Sequence, residues 1–239
     1  MNAETPPAIL FLHALPLDGT MWLDQLDLFP TACYAPTLYR HGNSIENWAT
    51  AALKEVHEEE IIVIGCSIGG SCALEIAKLA PHRVRAIVLT GTKAHKNPNP
   101  VFLEQAVNLI RTRGPNAAWN AFWKPLFSVS SNDDVVRAAK ESFDKRSARE
   151  LVDGTVAFHM RPSRRDLLES FPHRTVFISG SHDIAPGPEL TFKQAQTARD
   201  GSCHVIPNCG HYAPLEATSA FNAILRQELL VHFPAECGS

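Results

Sequence analysis

Residues 61–80 read "IIVIGCSIGGSCALEIAKLA". The β-branched run Ile61 to Ile64 has the character of a buried strand, and the alanine-rich stretch after Ser67 has the period and composition of a helix. Ser67 stands at the junction. Gly65 and Gly69 flank it two residues away on either side, where a side chain would press against neighbouring backbone in so sharp a turn. A serine held there projects its hydroxyl from the sheet edge. The Ile68 N–H opens the helix beside it, with the helix dipole favouring negative charge. The short pattern G-x-S-x-G is weak alone, since on the order of one in twenty chains of this length would contain it by chance. A serine that merely caps the helix is the plain alternative.

Five further short apolar segments are bounded by turn residues: "AILFL" at 8–12, "CYAP" at 33–36, "RAIVLTG" at 85–91, "TVFISG" at 175–180 and "CHVIP" at 203–207. Helical patterns alternate with them over 20–29, 45–58 behind Ser44, 67–79, 189–199 and 212–231. This alternation predicts an α/β fold with a parallel sheet of about six strands and helices on both faces. It breaks once, over 92–161, where "KNPNP", "RGP" and "SSNDD" punctuate about four short helices. That excursion reads as a helical cap over the carboxyl edge of a core formed by 1–91 and 162–239.

Composition narrows the partners. With 239 residues, 45% of them hydrophobic, the chain can build one full-sized core, and a net charge of -3 offers no field to hold nucleic acid or an anionic membrane. Its six cysteines form no CxxC pair, and its eleven histidines form no H-x-H or HExxH. No metal and no cofactor is therefore expected. "MNAETPPAILFLHAL" lacks a basic leader region and a spanning run, which points to a cytoplasmic protein. The basic cluster "RPSRR" at 161–165 is expected to be a solvated surface, with a phosphate-binding role toward an acyl-CoA as its rival.

A reactive serine needs a base and an orienting acid. "ISGSHDIAP" places Asp183 just past the fifth strand and "IPNCGHYAPLE" places His211 just past the sixth, in the chain order Ser, Asp, His. With "LFLHALPLDGTMW", "RHGNS", "GCSIGG", "GSHD" and "CGHYAPLE" in place, the chain resembles the α/β-hydrolase superfamily over nearly its whole length. The resemblance implies a serine hydrolase: Ser67 as nucleophile, His211 as base, Asp183 orienting the imidazole, and the N–H groups of Leu15 and Ile68 holding the oxyanion. His13-Ala14 stands where the family usually has His-Gly, so this loop must accept a methyl group. Asp183 as a mere turn former is the bland reading. His13 and His41 read as structural, and Cys66, on the alternate face of its strand, as a small packed hydrophobe.

The cap concentrates Phe102, Trp119, Phe122, Trp123, Phe127, Phe143 and Phe158. Most should form the cap's own core, with Trp119, Phe122, Trp123, Phe127 and Phe158 the candidates to face a pocket, and Met21 and Trp22 lining it from below. The expected partner is a small apolar carboxylic ester. Lactone opening, thioester hydrolysis, C–C bond hydrolysis and perhydrolysis would use the same residues. A receptor-like binder on this fold is the reading from another class.

Overall fold

The computed structural model describes residues 6–95 and 99–233. Residues 1–5, 96–98 and 234–239, which include Cys237 and the first three residues of "KNPNP", lie outside the described residues. Among the described residues, six strands form one sheet: β1 (Ala8–Leu12), β2 (Cys33–Tyr34), β3 (Ile61–Cys66), β4 (Val84–Thr90), β5 (Arg174–Gly180) and β6 (Gly201–Ile206). Their order is β2-β1-β3-β4-β5-β6, and every pair is parallel. The inner strands β1 and β3 are buried at every residue, which is why they read as unbroken apolar runs.

Among the described residues, ten α-helices follow in chain order: α1 (Ile45–Glu55), α2 (Ile68–Leu79), α3 (Pro100–Arg113), α4 (Pro115–Ala118), α5 (Asp133–Asp144), α6 (Ala148–Met160), α7 (Arg165–Ser170), α8 (Pro188–Thr197), α9 (Ala213–Glu216) and α10 (Thr218–Leu229). Helices α1 and α2 pack on each other over one face. On the other, the 3-10 turn Gly19–Gln25 meets α10, with Trp22 and Phe221 ring centroids 6.0 Å apart and Gln25 Nε2 donating to Asn222 Oδ1 at 2.8 Å. Strand order reverses between β1 and β3, so their carboxyl ends open a crevice. The loop from Leu12 and the turn at Ser67 both emerge there.

Several boundaries differ from the sequence expectation. The pattern over 20–29 forms only a 3-10 turn, and β2 shrinks to two residues because Pro36 cannot extend a hydrogen-bonded ladder. The pattern over 212–231 breaks at Ala217, whose non-helical backbone (φ -141°, ψ 49°) separates α9 from α10. The excursion between β4 and β5 carries α3 to α6, a π-helical turn at Trp119–Trp123 and a 3-10 turn at Lys124–Leu126, with α7 leading back to β5. Each long helix in it starts on a side-chain cap: Asn99 for α3, Asn132 for α5 and Ser147, in a reciprocal capping box with Glu150, for α6. No helix among the described residues is long and apolar enough to cross a membrane.

Candidate active site

Ser67 occupies the turn from β3 into α2 with φ +56° and ψ -115°, a backbone conformation that a residue with a side chain adopts at a cost of about 1–3 kcal/mol. What holds it is close approach of backbone. A Cβ on Gly65 would lie 2.4 Å from the Gly69 carbonyl carbon, and one on Gly69 only 2.1 Å from the Leu12 oxygen. Only glycine lets α2 start this close to β1. Thr92 Oγ1 donates to the Ser67 carbonyl at 3.0 Å and braces the turn from the end of β4.

The strand that delivers Ser67 buries its neighbour. Cys66 is fully buried with Sγ 3.8 Å from the His211 carbonyl oxygen, and burial pushes its thiol well above the ordinary range. A thiol so placed supplies no thiolate.

Asp183 and His211 come from the loops after β5 and β6. His211 Nδ1 stands 3.0 Å from Asp183 Oδ1, and both side chains are almost completely buried. Asp183 Oδ1 also accepts the Ala185 N–H at 2.8 Å, while Oδ2 is buried with no hydrogen-bond partner. A carboxylate facing Nδ1 selects the tautomer with the proton on Nδ1, leaving Nε2 as the acceptor.

Two residues to which sequence reasoning assigned no role hold the imidazole. Gly91, at φ +59° just past β4, sits against the ring, and a Cβ there would lie 2.7 Å from His211 Cε1 and 2.8 Å from Nδ1. Glu216 ties the turn from both sides: Oε2 accepts the N–H of Gly210 at 3.0 Å and of Ser128 at 2.8 Å, and Oε1 accepts the N–H of Tyr212 at 2.8 Å. Three amides converge on one carboxylate, joining the His211 turn to the cap. The His211 N–H donates to the Leu126 carbonyl at 2.9 Å, a second tie to the cap. A glutamate five residues after the histidine and a glycine closing β4 were the signals available in the sequence.

Ser67, Gly91, His211 and Leu15 line one cavity of about 540 Å³ roofed by the cap. Its wall includes Phe122, Trp123 and Phe158, together with Phe102, Ala106, Leu126, Thr155 and Ile184. Four other candidates are placed elsewhere. Trp22 is core, its ring centroid 5.1 Å from that of Phe11. Met21 Sδ receives the Ala14 N–H at 3.2 Å. Trp119 packs on Phe143 at 5.0 Å, and Phe127 on Tyr212 at 4.6 Å. Along the π-helical turn Trp119–Trp123, Trp119 and Trp123 both touch Phe143, but only Trp123, together with Phe122, also reaches the cavity wall.

Ile68 opens α2, where a backbone N–H has no acceptor within its own helix. On the facing loop, Ala14 is fully buried and its N–H is engaged by Met21 Sδ, so the methyl group is accommodated. His13 is structural: Nε2 accepts the Leu38 N–H at 3.0 Å and Nδ1 lies 3.1 Å from the Ala14 carbonyl. Burial pushes its pKa down to about 4. The "RPSRR" cluster is not a uniform solvated surface. Arg164 is paired with Glu75 at 2.5 Å and Arg161 is buried against the cavity, leaving Arg165, beside Glu169, as the exposed arginine of the three.

Residues 9–224 match the alpha/beta hydrolase family, and the chain belongs to it. Among characterised relatives, it is 32% identical over 94 residues to the pimeloyl-[acyl-carrier protein] methyl ester esterase of Aromatoleum aromaticum, covering 36% of this chain and 37% of that one. It is 22% identical over 186 residues to the 2-hydroxymuconate semialdehyde hydrolase of Pseudomonas sp. strain CF600, covering 74% of this chain and 64% of that one. The chain thus spans less than two thirds of the length of either relative. A thermophilic esterase from Thermogutta terrifontis superposes with a TM-score of 0.87 at 23% identity, over 96% of this chain and 91% of that one.

Proposed function

We propose that this chain is a serine hydrolase that cleaves small carboxylic esters through an acyl-enzyme on Ser67. The observation that carries the reading is the 3.0 Å contact between Asp183 and His211, with His211 and Ser67 sharing one apolar cavity. His211 Nε2 takes the Ser67 Oγ proton as Oγ bonds to the carbonyl carbon. The resulting oxyanion is held by the N–H groups of Ile68 and Leu15. Collapse breaks the ester bond, and the imidazolium returns the proton to the departing alkoxide. Water then attacks the acyl-enzyme, giving its proton to His211, and the acid leaves as Ser67 recovers its hydrogen. Lactones, thioesters and activated C–C bonds would pass through the same machinery. The esterase among the relatives and the apolar wall support an ester first.

A fluorophosphonate should label the protein at Ser67 while p-nitrophenyl esters are steadily turned over. Ser67→Ala should abolish labelling and lower kcat by a factor on the order of 10⁶ without unfolding the chain, and Cys66→Ala should keep most of the activity. Labelling without turnover of any ester, lactone or thioester would favour the binding protein instead.

A further inference from the structure

Arg161, at the carboxyl end of α6, is 7% exposed and lines the cavity that also holds Ser67 and His211. Its guanidinium lies 4.0 Å from the Phe158 ring centroid and its Nη1 donates to the Phe158 carbonyl. Its Nε is buried with no hydrogen-bond partner, and no carboxylate among the described residues pairs with it. Arg164 and Arg165, its neighbours in the same cluster, each have a glutamate within 4 Å. The described cavity wall contains no aspartate or glutamate, whereas Lys93 and His159 stand on it with Arg161.

A cation placed so deep with a donor unmet is costly unless something else completes it. Ring contact with Phe158 offsets only part of that cost. Desolvation lowers the Arg161 pKa to about 10, which leaves it a cation at neutral pH. A planar fork of N–H donors matches the two oxygens of a carboxylate, and an apolar pocket with one such fork at its wall selects a molecule that is greasy along its length and anionic at one point.

We propose that Arg161 binds a carboxylate carried by the substrate, so that the preferred ester is a half-ester of a dicarboxylic acid or an ester with a free acid on its acyl chain. This rests on the ester-hydrolase reading of the same site. It makes Arg161 a specificity-determining residue, acting on the end of the substrate that does not react.

The test compares monomethyl and dimethyl esters of dicarboxylic acids from succinate to suberate at constant ionic strength. At the best chain length the monoanion should be favoured in kcat/KM by about 10-fold or more, as a charge-assisted hydrogen bond supplies. Arg161→Gln should cut the half-ester at least tenfold more than the diester, mostly through KM. A second arm needs no variant: hexanoate should inhibit diester hydrolysis by the wild-type protein more strongly than hexanamide. No half-ester preference at any length, or equal inhibition by hexanoate and hexanamide, overturns the proposal. Stronger inhibition by hexyl phosphate than by hexanoate overturns the choice of carboxylate. If the wild-type protein turns over neither ester, the hydrolase reading fails, and calorimetric binding of hexanoate against hexanamide still decides the role of Arg161.

Discussion

His211 Nδ1 and Asp183 Oδ1 meet at 3.0 Å in a site where the imidazole is 2% and the carboxylate 1% exposed. So little water reaches the pair that the carboxylate alone decides which imidazole nitrogen carries the proton. The acid has a second anchor, the Ala185 N–H on the same oxygen, so it stays in place whether or not the histidine is charged.

Replacing Asp183 by Asn removes the negative charge that stabilises the imidazolium, and an amide N–H₂ turned toward Nδ1 would select the other tautomer while giving up the Ala185 N–H, which the same oxygen accepts in the wild type. The expected loss is on the order of 10⁴ in kcat, with little change in melting temperature. Steady-state kinetics at neutral pH check it. Near-full activity in Asp183→Asn would mean that another group orients His211.

Gly91→Ala places a methyl group against the imidazole edge, 2.7 Å from Cε1, in a backbone conformation that alanine disfavours. The ring must shift. A displacement of about 1 Å at a catalytic group costs about 10² in rate, so kcat should fall by that order while KM changes little. An alanine variant with unchanged kcat would show that the imidazole does not work from this position.

Trp119 and Phe122 separate the cap's core from the cavity wall. Trp119 is 3% exposed and packs on Phe127 and Phe143, so Trp119→Ala should cost about 3–5 kcal/mol in urea unfolding. Phe122 is half-buried and lines the cavity. Phe122→Ala should raise KM for longer acyl esters by about 10-fold and lower stability less than the tryptophan change. The reverse pattern, stability lost at Phe122 and KM at Trp119, would invert their placement.

His13 links stability to pH. It is fully buried and neutral, with its pKa lowered from 6.5 to about 4. Between these values the unfolded chain binds a proton that the folded chain refuses, so stability is complete above pH 6.5 and declines as pH falls to about 4. The decline attributable to this residue is about 3 kcal/mol. His13→Gln can still accept the Leu38 N–H but does not titrate. Its urea stability should be lower at pH 7 and should fall less steeply from pH 7 to 4.5 than that of the wild type. Parallel slopes in the two proteins would assign the acid sensitivity elsewhere.

The sheet and the serine turn were legible in the sequence because both rest on neighbours within a few residues. An apolar β-branched run, two glycines at fixed offsets and an alanine-containing stretch of helix formers leave few alternatives to strand, sharp turn and helix. The turns that carry Asp183 and His211 were legible for the same reason, each following a short apolar segment. The break at Ala217 was not, since the composition over 212–231 suits a helix throughout. Ala217 leaves the helical region there, and the Glu216 side chain before it is held by the amides of Gly210 and Tyr212 at the other end of α9.

Local periodicity and backbone sterics set the chain order of strands and helices and the turns that carry Ser67, Asp183 and His211. Tertiary structure alone decided which way the cap residues face and which charges find partners. Glu75 claims Arg164 from 89 residues away, and the Glu216 carboxylate reaches Ser128 across 88. Arg161, in the same short cluster, ends without such a partner at the cavity wall. The spacing of a basic cluster does not encode that difference, because a charge's environment is made by segments that meet only when the cap closes on the sheet.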